Sequence, residues 1–524
     1  MKDEPRESRY DGAFVRRDRP IGVPMPHRFA SRTQNPRKSF MTTTTSAHSA
    51  TAASELFGSP VVEESITRIV DELKKAQSSI TAARPPKPEL KETYQGYLDR
   101  VAKAKGKPAL FPYIGSGIGN GPLVELADGS VKWDLINGIG VHMFGHSEPD
   151  LVATALRAAM GDTIMQGNLQ FNHDSTEFAE LIIGEAAKTS GIKHAFLTNS
   201  GAMANESALK ICFQKNAPAS RIIAFQHCFM GRSTTMAQIG DSAGGRVGIP
   251  LNTLVDYMPF YDPEHHEHSI RYAQWHLQQY INRYPGQHAV FVMELVQGEG
   301  GFNVAPREYF EPLMKMCRDH GIAVWADEVQ SFGRNEQMFY FEQLGLGEYI
   351  DVVTIGKMSQ ICAVLYTEEY APKPGLLSGT FVGSTVGLNV GKRLLERLRD
   401  EGYYGEDGKN AQLQKAFRHH AEALVKKHPD WFPPVPHELG GHYEKVPHYG
   451  GTGGMMRLTP FGGDKAKVNR LLHVLFEEGV IAFSCGHGPF HLRFLPPVGV
   501  MQPEQFGEVF GIVEKALDRV AKES

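Results

Sequence analysis

Between Phe111 and Glu396 the sequence alternates short, continuous apolar runs with longer stretches of helical periodicity, and this is its most constraining feature. A run that is apolar at every position is typical of a strand buried on both faces, as in a parallel sheet covered by helices. The pattern therefore predicts an α/β domain built around a mostly parallel sheet. The predicted strands are residues 194–198, 221–225, 289–294, 322–326 and 352–355.

The chain of 524 residues is too long for one ordinary domain, since domains seldom exceed about 250 residues. Residues 1–54 show no periodic apolar face and are predicted to be a disordered leader. Residues 55–110, which contain an amphipathic helical pattern and a proline-rich strap, are predicted to form an N-terminal arm. We expect a large domain over residues 111–396 and a smaller α+β domain over residues 397–524.

Composition and charge indicate a soluble globular protein that acts on small molecules. The 55 basic and 59 acidic side chains leave a net charge of −4, so no basic surface indicates a nucleic-acid partner. No apolar run approaches the roughly 18 residues that a membrane-spanning helix needs. We therefore expect neither a nucleic-acid partner nor a membrane-spanning segment.

The five cysteines are widely spaced and include no Cys-x-x-Cys pair, which fits neither a disulfide framework nor a zinc site. We predict no metal site and a cytoplasmic location. The leader is rich in arginine and serine, as transit peptides are, although its acidic residues depart from that pattern. Organellar import directed by residues 1–40 is therefore the alternative.

Three groups of residues follow predicted strands, where open parallel sheets bind their ligands. The small residues of Asn199–Ala202 precede a helix, whose first N–H groups could cradle a phosphate. Asp327 could pair with a protonated ring nitrogen, and burial of Lys357 would free its amine to form a Schiff base. Phosphate, ring nitrogen and aldehyde are the groups through which proteins hold pyridoxal phosphate. The set therefore favours a pyridoxal-phosphate site.

Each of these residues also has an ordinary structural interpretation. Asn199–Ala202 could be a turn with a helix cap, Asp327 a cap of the next helix, and Lys357 a surface lysine. Phe229 could stack on a cofactor ring or belong to the core. The segment Glu294–Gly301 could approach a ligand closely or be a simple turn. The residues alone leave these alternatives open.

Taken in order along the chain, these segments resemble the motifs of the class III pyridoxal-phosphate-dependent aminotransferases. The resemblance runs from about residue 110 to the C-terminus and implies the fold type I architecture, with a large, mostly parallel sheet domain and a smaller α+β domain. The run after Lys357, residues 358–363, departs from the usual glycine-rich sequence of the family and is more similar to the branch that contains lysine ε-aminotransferases and 4-aminobutyrate aminotransferases. The matching segments are residues 199–210, 229–232, 294–301, 327–334, Lys357 and residues 492–497.

The resemblance implies a role for each matched position. Lys357 would form the Schiff base and then act as the catalytic base, and Asp327 would hold the pyridine nitrogen. Thr380 would reach the phosphate of the cofactor bound by a neighbouring subunit, which implies a homodimer with shared sites. The other implied cofactor contacts are Ser200, Gly201 and Ala202 at the phosphate, Phe229 stacked on the ring, Val329 beneath it and Gln330 near its hydroxyl.

The implied substrates are an ω-amino donor and a 2-oxo acid acceptor. Arg493 resembles the arginine that binds the carboxylate of glutamate or 2-oxoglutarate. Glu299 resembles the gate glutamate that neutralises this arginine when an ω-amino donor is bound. The implied reaction is transamination to 2-oxoglutarate by a ping-pong mechanism.

Some positions depart from the family pattern, with Met230 in place of the usual histidine and Leu295 in place of the usual proline. Two other classes of function therefore stay open. The chain could catalyse another reaction on the same fold, as a decarboxylase, racemase or aminomutase. It could also be a non-catalytic relative, against which the intact Lys357 and Asp327 argue.

Overall fold

The computed structural model describes residues 51–162, 164–165, 169–436, 442–443 and 448–523. Most of the predicted leader, residues 1–50, lies outside the described residues. The residues from Ala52 onward form one compact unit. None of the helices described in it is both long and apolar enough to cross a membrane.

The central sheet has seven described strands, which are in chain order β1 (Ile192–Thr198), β2 (Arg221–Phe225), β3 (Leu254–Met258), β4 (His288–Met293), β5 (Ala323–Asp327), β6 (Val352–Ile355) and β7 (Cys362–Thr367). Their spatial order is β1-β7-β6-β5-β4-β2-β3. The strand β7 runs antiparallel to both of its neighbours, and the other described strands share one direction. The sheet is therefore mixed but mostly parallel, as predicted.

All five predicted strands are present, to within two residues at their ends, and the structure adds two more. The strand β3 lies at an edge of the sheet with Leu254 exposed, so it lacks the continuous apolar pattern. The strand β7 follows β6 after six residues, too few for the helical crossover that a parallel strand requires. Its short connection therefore makes β7 antiparallel.

Successive residues of the central strands pack into hydrophobic clusters on opposite faces of the sheet. In β2, Ile222 and Ala224 belong to one cluster, whereas Ile223 and Phe225 belong to the other. Both faces are covered by helices, which explains why the central strands are apolar at every position. The longer helices are Pro60–Gln77, Lys91–Lys105, Pro149–Ala158, His173–Ala186, Gly201–Lys215, His266–Arg283, Arg307–Asp319, Thr385–Asp400, Lys409–Lys427, Lys465–Glu478 and Phe506–Lys522.

Among the described residues, two further sheets have four strands each. In the first, Val480–Ile481 pairs in parallel with Val131–Asp134, so chain segments from before and after the central sheet meet. The second sheet is antiparallel and contains the strand His491–Phe494, which carries Arg493. The strands of the first are Gly115–Asn120, Leu123–Leu126, Val131–Asp134 and Val480–Ile481, and those of the second are Tyr449–Thr452, Met455–Leu458, Phe483–Cys485 and His491–Phe494.

Candidate active site

The predicted phosphate cradle lies between the end of β1 and the helix Gly201–Lys215. Ser200 caps this helix, its hydroxyl accepting a hydrogen bond from the Met203 N–H at 3.3 Å. A Cβ atom on Gly201 would stand 2.8 Å from Cγ1 of Val329, so the chain needs glycine there. Free N–H groups at a helix start attract anions, and the tight packing brings this start close to Val329.

Asp327 is buried at the end of β5 and is held by donors on both carboxylate oxygens. Its Oδ2 accepts from Nδ2 of Asn205 at 2.8 Å, and its Oδ1 accepts from the Val329 N–H at 3.0 Å. Burial raises the pKa of Asp327, whereas these hydrogen bonds and the nearby Lys357 charge oppose that rise. A buried carboxylate with fixed orientation is suited to hold a protonated ring nitrogen.

Lys357 follows β6 in a short turn and adopts a left-handed backbone conformation with φ of 55°. Burial lowers the pKa of its ammonium, and the charges of Asp327 and Glu299 partly counteract this effect. Positive φ is uncommon for residues other than glycine and is found at strained functional positions. Because burial lowers its pKa, the Lys357 amine is easier to deprotonate than that of a surface lysine.

One cavity of about 200 Å³ brings most of the predicted residues together. Ser200, the cap of the adjoining helix, does not itself line this cavity, and Arg493 is connected to it by its ion pair with Glu299. Thr380 lies on an exposed loop and, among the described residues, is not part of the lining either. The lining residues that the sequence singled out are Gly201, Ala202, Phe229, Glu299, Asp327, Val329, Gln330 and Lys357.

The donors and acceptors of this cavity fit pyridoxal phosphate. Oε1 of Gln330 is buried without a hydrogen-bond partner among the described residues, so an acceptor is available for a ring substituent. A Cβ atom on Gly298 would stand 2.6 Å from that oxygen, so this side of the cavity is shaped around the Gln330 amide. With the amine, the carboxylate and the helix start on the other sides, each polar group of the cofactor has a matching residue.

Arg493 and Glu299 form an ion pair at the edge of the cavity. Nη1 of Arg493 donates to Oε1 of Glu299 at 2.5 Å, and the Arg493 side chain is fully buried. Its Nε and Nη2 have no hydrogen-bond partner among the described residues. A buried guanidinium with unmet donors has the chemistry to bind a planar carboxylate, which accepts two parallel hydrogen bonds.

The loop that carries Thr380 is tied to the phosphate cradle. Nδ2 of Asn199 donates to the carbonyl oxygen of Phe381 at 3.3 Å. Exposed apolar side chains lie on this loop and on the segment before the helix His173–Ala186, with 48% exposure for Phe381 and 71% for Phe171. Thr380 thus belongs to an outward apolar surface next to the cradle.

The structure adds two residues that sequence reasoning did not assign. Asn205 orients Asp327, and its place four residues after Gly201 on the same helix face could have indicated this. Glu294 lines the cavity and directly follows β4. The same criterion, an acidic residue at the end of a predicted strand, identified Asp327 and could have identified Glu294. Burial, together with the charge of Asp327, raises the pKa of Glu294 to about 8.

Comparisons with known proteins agree with this geometry. The sequence model of the aminotransferase class-III family matches residues 112–517. Among solved structures, an ornithine aminotransferase from Toxoplasma gondii ME49 aligns with a TM-score of 0.67 at 20% identity, over 82% of this chain and 96% of that one. A lysine aminotransferase from M. tuberculosis aligns with a TM-score of 0.68 at 20% identity, over 81% and 99% of the two chains. The fold is that of the fold type I pyridoxal-phosphate enzymes.

Curated sequences also give extensive matches, at 26–27% identity. An acetylornithine aminotransferase from Caldanaerobacter subterraneus is 26% identical, over 77% of this chain and 94% of its own. A diaminobutyrate–2-oxoglutarate transaminase from Bordetella parapertussis is 27% identical, over 77% and 90%. The chain belongs to the class III aminotransferases and is a pyridoxal-phosphate-dependent transaminase. The predicted family and cofactor are thereby confirmed.

Proposed function

We propose that this enzyme transfers the amino group of an ω-amino donor, of the lysine, ornithine or 4-aminobutyrate type, to 2-oxoglutarate by a ping-pong mechanism. The observation that carries this proposal is the buried Arg493–Glu299 pair at the edge of the cavity that contains Lys357 and Asp327. The ornithine, lysine and diaminobutyrate enzymes among the relatives support the donor class, and the name of the last supports the acceptor.

When bound, the cofactor supplies an aldehyde for the donor amine and a ring that withdraws electrons from the reacting carbon. In the proposed arrangement, Lys357 holds the aldehyde and Asp327 keeps the ring nitrogen protonated. Ser200, Gly201 and Ala202 hold the phosphate. Phe229 and Val329 enclose the ring, and Gln330 contacts its hydroxyl side.

Proton transfer in this proposal belongs to Lys357. With the cofactor and donor bound, Nζ of Lys357 would be the group that accepts and holds the proton of the donor carbon. A base must be neutral to accept a proton, and burial lowers the pKa of Lys357. Asp327 opposes this effect only in part, so the Lys357 amine gives up its proton more readily than that of an exposed lysine.

Substrate selection in this proposal depends on which group Arg493 contacts. With an ω-amino donor bound, Glu299 stays paired with Arg493 and neutralises it. With 2-oxoglutarate, Glu299 moves aside and both free edges of the guanidinium bind the carboxylate. A single cavity can then accept a distal amine in one half-reaction and a dicarboxylate in the other.

We further propose a homodimer in which Thr380 completes the site of the neighbouring subunit. The apolar surface around Thr380 borders a groove of about 460 Å³ lined by Phe171, Leu377 and Val382 among others. Exposed apolar patches of this kind mark protein interfaces. We place the enzyme in the cytoplasm, consistent with five free cysteines, and retain import through residues 1–40 as the alternative.

The test is an absorbance titration of the purified holoenzyme with a panel of amino donors. Donors of the ω-amino class should convert the bound aldehyde form to the amine form, and 2-oxoglutarate should restore it with one glutamate per cycle. If only α-amino acids without a distal amine, such as alanine, converted the aldehyde form, the proposed donor class would be contradicted. Release of carbon dioxide, or product without stoichiometric glutamate, would indicate one of the other reaction types.

A further inference from the structure

Glu294 makes two hydrogen bonds that the proposed reaction does not use. Its Oε2 accepts from the Phe229 N–H at 2.8 Å, and its Oε1 accepts from the Gly298 N–H at 3.0 Å. The side chain is only 8% exposed. Hydrogen bonds to a buried carboxyl group are stronger and more rigid than those at the surface. One side chain therefore fixes two loops relative to each other.

The two loops have different tasks in the proposed site. One carries Phe229, which encloses the cofactor ring, and the other carries Glu299, which controls Arg493. The loops are joined a second time where Nε2 of Gln297 donates to the carbonyl oxygen of Gln226 at 2.6 Å. On the far side, the Glu299 carbonyl oxygen accepts from the Gly486 N–H at 2.8 Å. A continuous chain of contacts thus leads from Arg493 to Phe229.

We propose that Glu294 is a positioning residue that couples the cofactor-stacking Phe229 to the Glu299–Arg493 switch. The inference rests on the proposed function and adds a mechanical link between its two halves. When a dicarboxylate displaces Glu299 from Arg493, the shift of the Glu299 loop reaches Phe229 through the Glu294 carboxyl group. By linkage, if dicarboxylate binding changes the affinity for the cofactor, cofactor binding must change the affinity for the dicarboxylate by the same factor.

The decisive variant is Glu294→Gln. Both carboxyl oxygens can accept a hydrogen bond, whereas the glutamine amide has one acceptor, so one loop is released without a change of volume. Losing one such hydrogen bond should weaken pyridoxal-phosphate binding by the apoenzyme about tenfold. The same variant should change the ratio of KM for 2-oxoglutarate to KM for the donor by a similar factor.

Glu328 provides a matched control. It is also buried, and it also accepts two backbone hydrogen bonds, from the N–H groups of Tyr340 and Phe341 at 2.7 and 2.8 Å. Those amides start a short helix whose residues do not line the described cavity. Glu328→Gln should lower the melting temperature while leaving the cofactor dissociation constant and the KM ratio unchanged.

A lower melting temperature for Glu294→Gln, with unchanged cofactor affinity and KM ratio, would overturn the proposal. A change in cofactor affinity without a change in the KM ratio would also overturn it, because the coupling would then be absent. Failure of the proposed function would give a different result, because the wild-type enzyme would then consume the donor without forming glutamate. Cofactor affinity and the exchange measurement below would still decide the role of Glu294.

A measurement on the wild-type holoenzyme covers the case in which the variant does not fold. Glutarate, a dicarboxylate that cannot be transaminated, should change amide hydrogen exchange in residues 296–301 and also in residues 226–231. Residues 338–343, next to Glu328, serve as the control and should not respond. Exchange that changes in residues 296–301 alone would refute the link.

Discussion

Burial acts in opposite directions on the two central ionisable residues of the cavity. Removal from water disfavours both charges, so it lowers the pKa of Lys357 and raises that of Asp327. The charge of each residue partly reverses the pKa shift of the other. Asn205 also donates a hydrogen bond to the Asp327 carboxylate. The result is an acid held in place opposite an amine that gives up its proton readily.

Replacing Lys357 by alanine should abolish multiple turnovers, because no other described lysine lines the cavity. Loss of a general base alone reduces rates by about 10² to 10⁴. Steady-state rates with a saturating donor and 2-oxoglutarate measure the effect, with Lys315→Ala, an exposed lysine, as the control. Turnover of the Lys357→Ala enzyme at the wild-type rate would refute the assignment.

Asn205→Ala should weaken cofactor binding through Asp327. A hydrogen bond to a charged group contributes about 1.5–3 kcal/mol, so the dissociation constant of the cofactor should rise roughly 10- to 100-fold. Asn216→Ala is the matched control, since Asn216 follows the same helix and donates to the carbonyl oxygen of Ala289 at 2.7 Å. If both variants bound the cofactor equally well, Asp327 would not depend on Asn205.

Arg493→Ala should raise KM for 2-oxoglutarate far more than KM for the amino donor. The bidentate contact contributes about 1.5–3 kcal/mol, which corresponds to roughly a 10- to 100-fold change in KM. Arg493→Lys keeps the charge but not the paired geometry and should have a smaller effect. Steady-state kinetics with each substrate varied would measure both constants, and equal changes would argue against the switch.

At the scale of elements, the active-site residues belong to strand ends and to the turns that follow them. The strands β5 and β6 are neighbours in the sheet, so Asp327 and Lys357 meet although 29 residues separate them in the sequence. The helix after β1 brings the predicted phosphate cradle to the same cavity, which Gly201 and Ala202 line. Order in the sheet, rather than order along the chain, assembles the cavity.

Glu328 shows how a buried carboxyl group supports one such element. Burial raises its pKa to about 7, above its ordinary value of 4.5. The folded protein therefore binds a proton more tightly there than the unfolded chain does. Its contribution is fully present below about pH 4.5 and is lost as the pH rises through 7, an effect of about 3 kcal/mol.

We therefore expect the free energy of unfolding of the wild-type apoenzyme to fall more steeply between pH 5 and pH 8 than that of Glu328→Gln. Urea unfolding at several pH values would measure both slopes. Glu406→Gln, at an exposed carboxylate, should keep the wild-type slope. Parallel slopes for Glu328→Gln and the wild type would show that Glu328 does not titrate in this range.

At the scale of the whole molecule, the placement of Thr380 decides whether a single chain has a complete site. Its loop lies outside the cavity, within an exposed apolar surface that includes Phe381. A threonine that serves the neighbouring subunit must face outward in this way. Two chains would then share both sites.

Mixed dimers can test this arrangement. Thr380→Ala should weaken cofactor binding, and Lys357→Ala should be inactive. If Thr380 acts across the interface, a dimer of one chain of each variant has one fully wild-type site, so mixing should restore activity at low cofactor concentration. If Thr380 acts within its own chain, no such site exists and mixing restores nothing. Refolding the two variants together and apart supplies the comparison.

The sequence determined the sheet class, the family and most of the cavity residues. Buried strands need apolar side chains at every position, and ligand contacts need small or charged residues at strand ends, so both leave a local pattern. The edge strand Leu254–Met258 left no such pattern because one side of it faces solvent.

The tertiary structure alone decided which side chains meet across distant segments. Asn205 donates to Asp327, 122 positions away, and Glu294 joins two loops. Such contacts depend on the order of strands and on the paths of loops, which are set by packing of the whole chain. Local spacing can place Asn205 on the helix face that carries Gly201, but it does not show which carboxylate the amide contacts or that Glu294 joins two loops.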